Sequence, residues 1–337
     1  MRELPTINEP VPMLHLEPEE IESISREVRE LAAERDAVIL AHNYQVPEIQ
    51  EVADYTGDSL GLSRKAAASD SSVIAFCGVH FMAETASILS PEKTVLIPDL
   101  EAGCSLADSI TANELRNWKS RHSPDAVVVM YVNTSAEVKA ETDYCCTSSN
   151  AVKVVEHILR EHGPDTEILF GPDMWLGSYV ERVTGHSMHV WPGECHVHAG
   201  IRPDDITAQR AAHPNAEFLV HPECGCVTQV MEFVAAGDVE QEGVHMLSTG
   251  QMIDYVQQHP EGEFIVATEN GMLYPLKQAA PGVSLIEANR MAYCKYMKMI
   301  TLPKLRDSLR EMKFEVSVPE EIAERARIPI ERMVAIG

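Results

Sequence analysis

Basic residues are scarce in this chain. Lys and Arg number 27 against 52 Asp and Glu, a formal net charge of −25. Such a surface repels phosphate backbones and anionic lipid headgroups, which argues against nucleic-acid and membrane-surface binding. Long apolar runs are missing as well. The longest, residues 126–132 (AVVVMYV), falls far short of the roughly 20 residues that a membrane span needs. The N-terminus holds Pro5, Pro10 and Pro12 among acidic residues and has no apolar stretch of the signal-peptide kind, so a cytoplasmic location is expected. No CxxC pair occurs, which removes a zinc ribbon and a thioredoxin-type dithiol. Neither GxxxxGK[ST] nor GxGxxG is present, so the ATP and dinucleotide fingerprints are absent too.

What is there is a repeat. The 337 residues are 45% hydrophobic, enough for a sizeable core and for two or three domains. Three β-rich runs end in polar clusters: 38–44 (VILAHNY), 127–133 (VVVMYVN) and 218–223 (FLVHPE). A helix-like stretch follows each. Then comes a second run, at 72–78 (SVIAFCG), 167–173 (EILFGPD) and 263–270 (EFIVATEN), and a third at 94–99 (TVLIPD), 187–192 (SMHVWP) and 283–287 (VSLIE). Apolar runs alternating with helical segments indicate βαβ units and parallel sheets. The fold class expected is α/β, with three copies of one unit; if these pack about a pseudo-threefold axis, their strand ends can converge on it. Their bounds are 20–115, 116–200 and 201–302, with 303–337 packed on the body. The ends read as covers: one amphipathic helix at 18–35, and another from 319 to 327 that Pro329 breaks.

Eight cysteines need a reason in a reducing compartment, where stable disulfides are not expected. Three of them repeat with the units. Cys104, Cys195 and Cys294 each follow a third run, at intervals of 91 and 99 residues. Each lies 24–26 residues beyond the polar end of the second run, outside the carboxyl end of a strand, where open α/β sheets hold their ligands. Three thiolates around a threefold axis leave one corner of a tetrahedral site open. Either zinc or a [4Fe–4S] cluster with one iron lacking a protein ligand would satisfy that arrangement. Cys145-Cys146 and Cys224-x-Cys226 lack chelate spacing and read as structural. In Cys195-His196-Val197-His198 a strand alternation would turn His196 away from Cys195 and His198, so neither histidine is expected to bind a metal.

The polar clusters supply the other half of a site. His42-Asn43-Tyr44, Tyr131-Val132-Asn133 and His221-Pro222-Glu223 hold equivalent places, so all should face the axis. Hydroxyl-bearing stretches follow at Asp58-Ser59, 146–150 (CTSSN) and 247–250 (LSTG), each ahead of a helical segment. Such hydroxyls either cap the helix or, with its free N–H groups, cradle a carboxylate or phosphate.

The segments AHNYQVPEIQEVAD, DSLGLSR, AGCSLAD, YVNTSAEVKAETDYCCTSSNA, GECHVH, HPEC, LSTGQMI and CKYMKMITL, spread from Ile21 to Leu302, together resemble the quinolinate synthase (NadA) family. The resemblance implies three homologous three-layer α/β/α domains with parallel sheets, arranged with pseudo-threefold symmetry around a central active site, and a [4Fe–4S] cluster held by Cys104, Cys195 and Cys294. It also implies condensation of iminoaspartate with dihydroxyacetone phosphate to quinolinate, with an open iron as Lewis acid. An L-aspartate oxidase would supply the unstable imine. Positions resembling substrate contacts are His42, Ser59, Tyr131, Asn133, Ser148, His221, Glu223 and Thr249. Those resembling catalytic groups are Tyr44, Tyr131 and Glu223. Some members carry CxxCxxC around the third ligand; here the equivalent places are Ala288, Met291 and Cys294, so one candidate thiol remains. A different [4Fe–4S] hydro-lyase and a zinc-bound metabolite-binding protein are the alternatives.

Overall fold

In the computed structural model, residues 11–227, 230 and 243–336 are described. They form three four-stranded sheets, every strand parallel to its neighbours. The first contains β1 (Ala37–His42), β2 (Tyr55–Gly57), β3 (Val73–Cys77) and β4 (Thr94–Leu96). The second contains β5 (Val127–Tyr131), β6 (Tyr144–Cys146), β7 (Ile168–Gly171) and β8 (His189–Val190). The third contains β9 (Glu217–Val220), β10 (Val244–Met246), β11 (Glu263–Ala267) and β12 (Ser284–Glu287). The spatial orders are 2-1-3-4, 6-5-7-8 and 10-9-11-12, one topology used three times. Helices cover the sheets, and the central strands read as unbroken apolar runs because both faces are buried, as in β3 and β5.

This topology places the site. From the first strand of each repeat the chain turns to one side for the short edge strand. It then crosses to the other side for the third. The crevice at the carboxyl ends of β1 and β3, and of their equivalents, is therefore a topological switch point. The edge strands β2, β6 and β10 are only three residues long each and had no clear pattern in the sequence. They lead directly into the hydroxyl-bearing stretches and carry these to the same crevice. The helix expected just after His221-Pro222-Glu223 falls largely outside the described residues, as do residues 1–10.

The first helix, Pro18–Glu34, runs as the spacing predicts, opened by Pro at its first position and by a capping box between Glu17 and Glu20. The last helix does not break at Pro329. It runs Glu320–Ile336 with the proline inside it. A proline there forfeits one backbone hydrogen bond, but Ala326, Pro329, Ile330 and Met333 bury a continuous stripe that offsets the loss. This helix packs on β6 and the helix Ala136–Lys139 of the second repeat and on the helix His80–Leu89 of the first. One apolar core runs through all three repeats, from Val28 and Ile39 through Phe170 to Phe264 and Met333. Among the described residues no helix is long and apolar enough to cross a membrane.

Candidate active site

The carboxyl ends of the three sheets open into one cavity. All twelve candidate residues line it. From the first repeat come His42, Tyr44, Ser59 and Cys104; from the second, Tyr131, Asn133, Ser148 and Cys195; from the third, His221, Glu223, Thr249 and Cys294. Each repeat thus contributes a polar cluster, a hydroxyl and a thiol, from equivalent strand ends.

The hydroxyls facing the cavity are not the ones that cap the helices. Asp58 caps the helix Ser59–Ala68 by accepting from the Gly61 N–H at 2.8 Å, leaving Ser59 free to line the cavity. Ser248 caps Thr249–Gln258, leaving Thr249. Asn150 stands at the N-cap of Ala151–His162 and binds the Thr147 N–H, while Ser148 reaches His221 Nε2 at 3.2 Å. Three helix N-termini, each with a spare hydroxyl, give a cradle for anionic groups. Ser59 also sits in the string Gly57-Asp58-Ser59-Leu60-Gly61, which spells the G-x-S-x-G of a hydrolase nucleophile elbow. It lacks the elbow's strain, since Ser59 is the first residue of an ordinary helix.

The polar clusters cross between repeats. The Tyr44 hydroxyl shares hydrogen bonds with Thr268 Oγ1 at 2.6 Å and His198 Nε2 at 3.2 Å. Asn43 Nδ2 donates to Thr249 Oγ1 at 3.0 Å. His198 stacks on His221 with ring centres 4.7 Å apart, and its Nδ1 lies 3.2 Å from Glu223 Oε2. Among the described residues the buried Asn133 Oδ1 has no hydrogen-bond partner, and Asn133 belongs to the cavity wall.

Burial sets the charge states. It drives the His42 imidazole down to about 3, assisted by His221 and partly opposed by Glu223. His221 falls likewise to about 3, mainly by burial, against the pull of Glu223. Burial alone would raise the Glu223 carboxyl, but the imidazoles of His221 and His198 and the Tyr131 hydroxyl bring it down to about 2. Tyr44 and Tyr131 are raised well above the ordinary phenol range by burial and then by Glu223. At neutral pH the Glu223 carboxylate therefore stands among the neutral imidazoles of His42 and His221 and the neutral phenols of Tyr44 and Tyr131.

The three thiols line the same cavity. Burial raises Cys104 to about 12 and Cys294 to about 11, and Cys195 well above the usual thiol value. The other two cysteines push Cys195 further, so the three sulfurs share one field. None of the three is in a disulfide. Their neighbours interlock: Ser105 Oγ bonds His196 Nδ1 at 2.7 Å, and the His196 ring meets Tyr296 edge-on at 5.9 Å.

The family model described as quinolinate synthetase A protein (NadA) matches residues 26–335. A quinolinate synthase of Mycobacterium tuberculosis is 56% identical over 312 residues, 92% of this chain and 88% of that protein. One from Mycobacterium sp. (strain KMS) is 55% identical over 317 residues, 94% and 93% of the two chains. One from Thermus thermophilus is 54% identical over 316 residues, 94% and 98%. The chain belongs to the quinolinate synthase family. It is therefore an enzyme of NAD biosynthesis acting on small molecules.

Within this quinolinate synthase fold several working residues had escaped the sequence reading. His196–Gly200 is a short helix, not a strand, with Cys195 at its N-cap. Helical rather than alternating geometry turns His198 toward Glu223 and Tyr44. Cys195 Sγ, a His198 nitrogen and a Glu223 oxygen lie within 4.8 Å of one another, a group able to hold a metal ion.

Two buried carboxylates were also missed. Asp173 Oδ2 accepts from the Cys195 N–H at 3.2 Å, and Glu269 Oε1 accepts from the Cys294 N–H at 2.9 Å. Glu269 is paired with buried Lys298 at 2.8 Å, and Lys298 also donates to the Tyr44 carbonyl. Both carboxylates come just after the second inner strand of their repeat, and their acidic letters at equivalent places were the available signal. The first repeat has Val79 there, with no carboxylate to offer, while one backbone bond to the ligand loop recurs in all three repeats: His80 N–H to the Ala102 carbonyl, Met174 N–H to Gly193 and Asn270 N–H to Ala292.

The cysteines of the remaining pairs separate. Cys145 and Cys146 lie buried in β6. Cys224 and Cys226 are joined by a disulfide, contrary to the expectation from compartment, because the turn brings their Cα atoms to 5.1 Å, within bridging range.

Proposed function

We propose that the chain condenses iminoaspartate with dihydroxyacetone phosphate to quinolinate, releasing phosphate and two waters, with Cys104, Cys195 and Cys294 as the protein ligands of a [4Fe–4S] cluster. The observation that carries this reading is that three free thiols, one per repeat, line a single cavity together with buried phenols, imidazoles, the Glu223 carboxylate and hydroxyl-bearing helix ends. Three soft donors and no fourth protein thiol suit a cluster with one accessible iron. When bound, such a group supplies Lewis acidity toward hydroxyl or carboxylate oxygen.

The residues divide the remaining work. Ser59, Ser148 and Thr249, with the N–H groups behind them, bind the substrate carboxylates and phosphate. His42 and His221, neutral at working pH, donate hydrogen bonds without adding charge. Asn133 Oδ1 accepts from a substrate hydroxyl or nitrogen. Glu223 is the general base. Tyr44, held protonated, is the general acid, its proton passed along the Thr268–His198 pair, while Tyr131 orients Glu223. The domain bounds 20–115, 116–200 and 201–302 belong to the same reading, as does supply of the imine by an L-aspartate oxidase.

The test is anaerobic reconstitution with iron and sulfide, followed by assay of quinolinate from the two substrates. Cluster-loaded protein that forms none refutes the reading. The Cys195, His198 and Glu223 group favours one competitor, a mononuclear zinc site. Iron and acid-labile sulfide near four of each per chain decide against zinc.

A further inference from the structure

At the opposite end of the second sheet, away from the thiols, three donors converge. Glu167 immediately precedes β7 and His189 opens β8. Leu169 pairs with His189 across the parallel strands, and Glu167, two residues before Leu169, shares its face. His122 arrives from the turn after the helix Ala112–Lys119. His122 Nδ1 lies 2.8 Å and His189 Nε2 3.1 Å from the same oxygen, Glu167 Oε1. All three donor atoms fall within 4.8 Å of one another.

The arrangement is held from behind. The Ser123 N–H donates to the other oxygen, Glu167 Oε2, at 3.2 Å. The His122 ring stands edge-on to Trp118 at 6.0 Å, and Trp118 packs on Trp191 at 5.3 Å. The fourth direction opens to solvent, with His189 half exposed.

The third repeat provides an internal comparison. There His213, following the helix Pro203–Ala212, sets its Nδ1 3.2 Å from Oε1 of Glu263, the first residue of the equivalent strand β11. That pair is a two-residue staple, because β12 (SLIE) carries no imidazole. In the second repeat one histidine already makes the staple, so the second, aimed at the same oxygen, needs another reason.

We propose that His122, Glu167 and His189 form a zinc-binding site, with water in the fourth position. Two imidazoles and one carboxylate are a donor set that zinc accepts. Tetrahedral zinc with ligands at about 2.0–2.2 Å sets donors roughly 3.3–3.6 Å apart, so small rotations of these side chains admit the ion. The chain's net charge of −25 draws cations to such a site. The ion would clamp the two-residue strand β8 to the turn before β5, and takes no part in the reaction at the other end of the sheet.

The test is equilibrium dialysis of the cluster-loaded chain against Zn²⁺, with zinc and iron counted together. One zinc per chain is expected, with iron unchanged. The affinity should fall at least about tenfold in His189→Ala and Glu167→Gln, as for loss of an organising ligand, and stay unchanged in His213→Ala. Zinc should raise the thermal midpoint of the parent and not of His189→Ala. Equal zinc binding by parent and His189→Ala overturns the proposal, as does an absence of zinc binding or uptake only at the expense of iron.

Discussion

Glu223 Oε2 lies 3.2 Å from His198 Nδ1, and both side chains are about 3% exposed. The carboxylate and the imidazole come from different repeats, and in the reaction proposed above they connect Glu223 through His198 to the Tyr44 phenol. Replacing Glu223 by Gln keeps size and shape while removing the carboxylate assigned there as base. Turnover should fall by roughly 10²–10⁴-fold with iron and sulfide content unchanged. Activity within a factor of two of the parent removes Glu223 from the proton path.

Tyr44→Phe tests the other end of that path. The hydroxyl touches Thr268 and His198, so a purely structural role would show as lost stability. A general-acid role shows as a kcat lowered at least about 10²-fold with the cluster intact. Anaerobic kcat measured beside iron content and a thermal melt separates the two.

Ligand substitutions should be all or none. Cys104→Ser, Cys195→Ser and Cys294→Ser should each fail to retain the cluster, whereas Cys145→Ser and Cys226→Ser should load normally. Iron and sulfide analysis after identical reconstitution reads the difference, and a fully loaded Cys195→Ser protein contradicts the ligand assignment.

Glu269→Gln should destabilise the fold before it affects chemistry. It strands the buried Lys298 ammonium without its counter-charge, and breaking such a pair costs about 3–5 kcal/mol. Urea denaturation gives the value, and a loss below about 1 kcal/mol would mean that water reaches the pair.

The acid limb of stability follows from the imidazoles. His42 and His221 are depressed from 6.5 to about 3 in the folded chain. Between those values the unfolded chain binds more protons, so stability is complete above about 6.5 and declines as pH falls toward 3. Glu223, lowered from 4.5 to about 2, extends the decline in the same direction. Thermal midpoints measured from pH 7 to pH 4 should fall steadily, and less steeply in His221→Gln. A flat profile in the parent shows that these groups gain protons without unfolding the chain.

Much of this was legible in the primary structure because it is written three times. Apolar runs buried on both faces gave three strands per repeat, and the near-equal cysteine intervals singled out Cys104, Cys195 and Cys294 from eight. The fourth strand was not legible. Three residues such as Tyr55–Gly57, exposed at a sheet edge, carry no period. The orientation of His198 is not legible because the five-residue helix HVHAG is too short to show a helical period. Pro329 was read as a stop because the packing that tolerates it lies in other repeats. Lys298 and Glu269 stand 29 residues apart in sequence and announce their pairing nowhere in it.

The hydrogen bonds that build the cavity join one repeat to another: Asn43 to Thr249, Tyr44 to Thr268, Ser148 to His221. No repeat contains both partners of any of these bonds. A chain shortened by one unit would not keep a reduced version of the site, since its remaining polar groups would face solvent across an open edge. If the three units descend from one, the ancestor could have enclosed such a cavity only as a trimer of identical chains. Fusion into a single polypeptide then freed each copy to change alone, so that His-Asn-Tyr, Tyr-Val-Asn and His-Pro-Glu now stand where threefold symmetry would demand the same three letters.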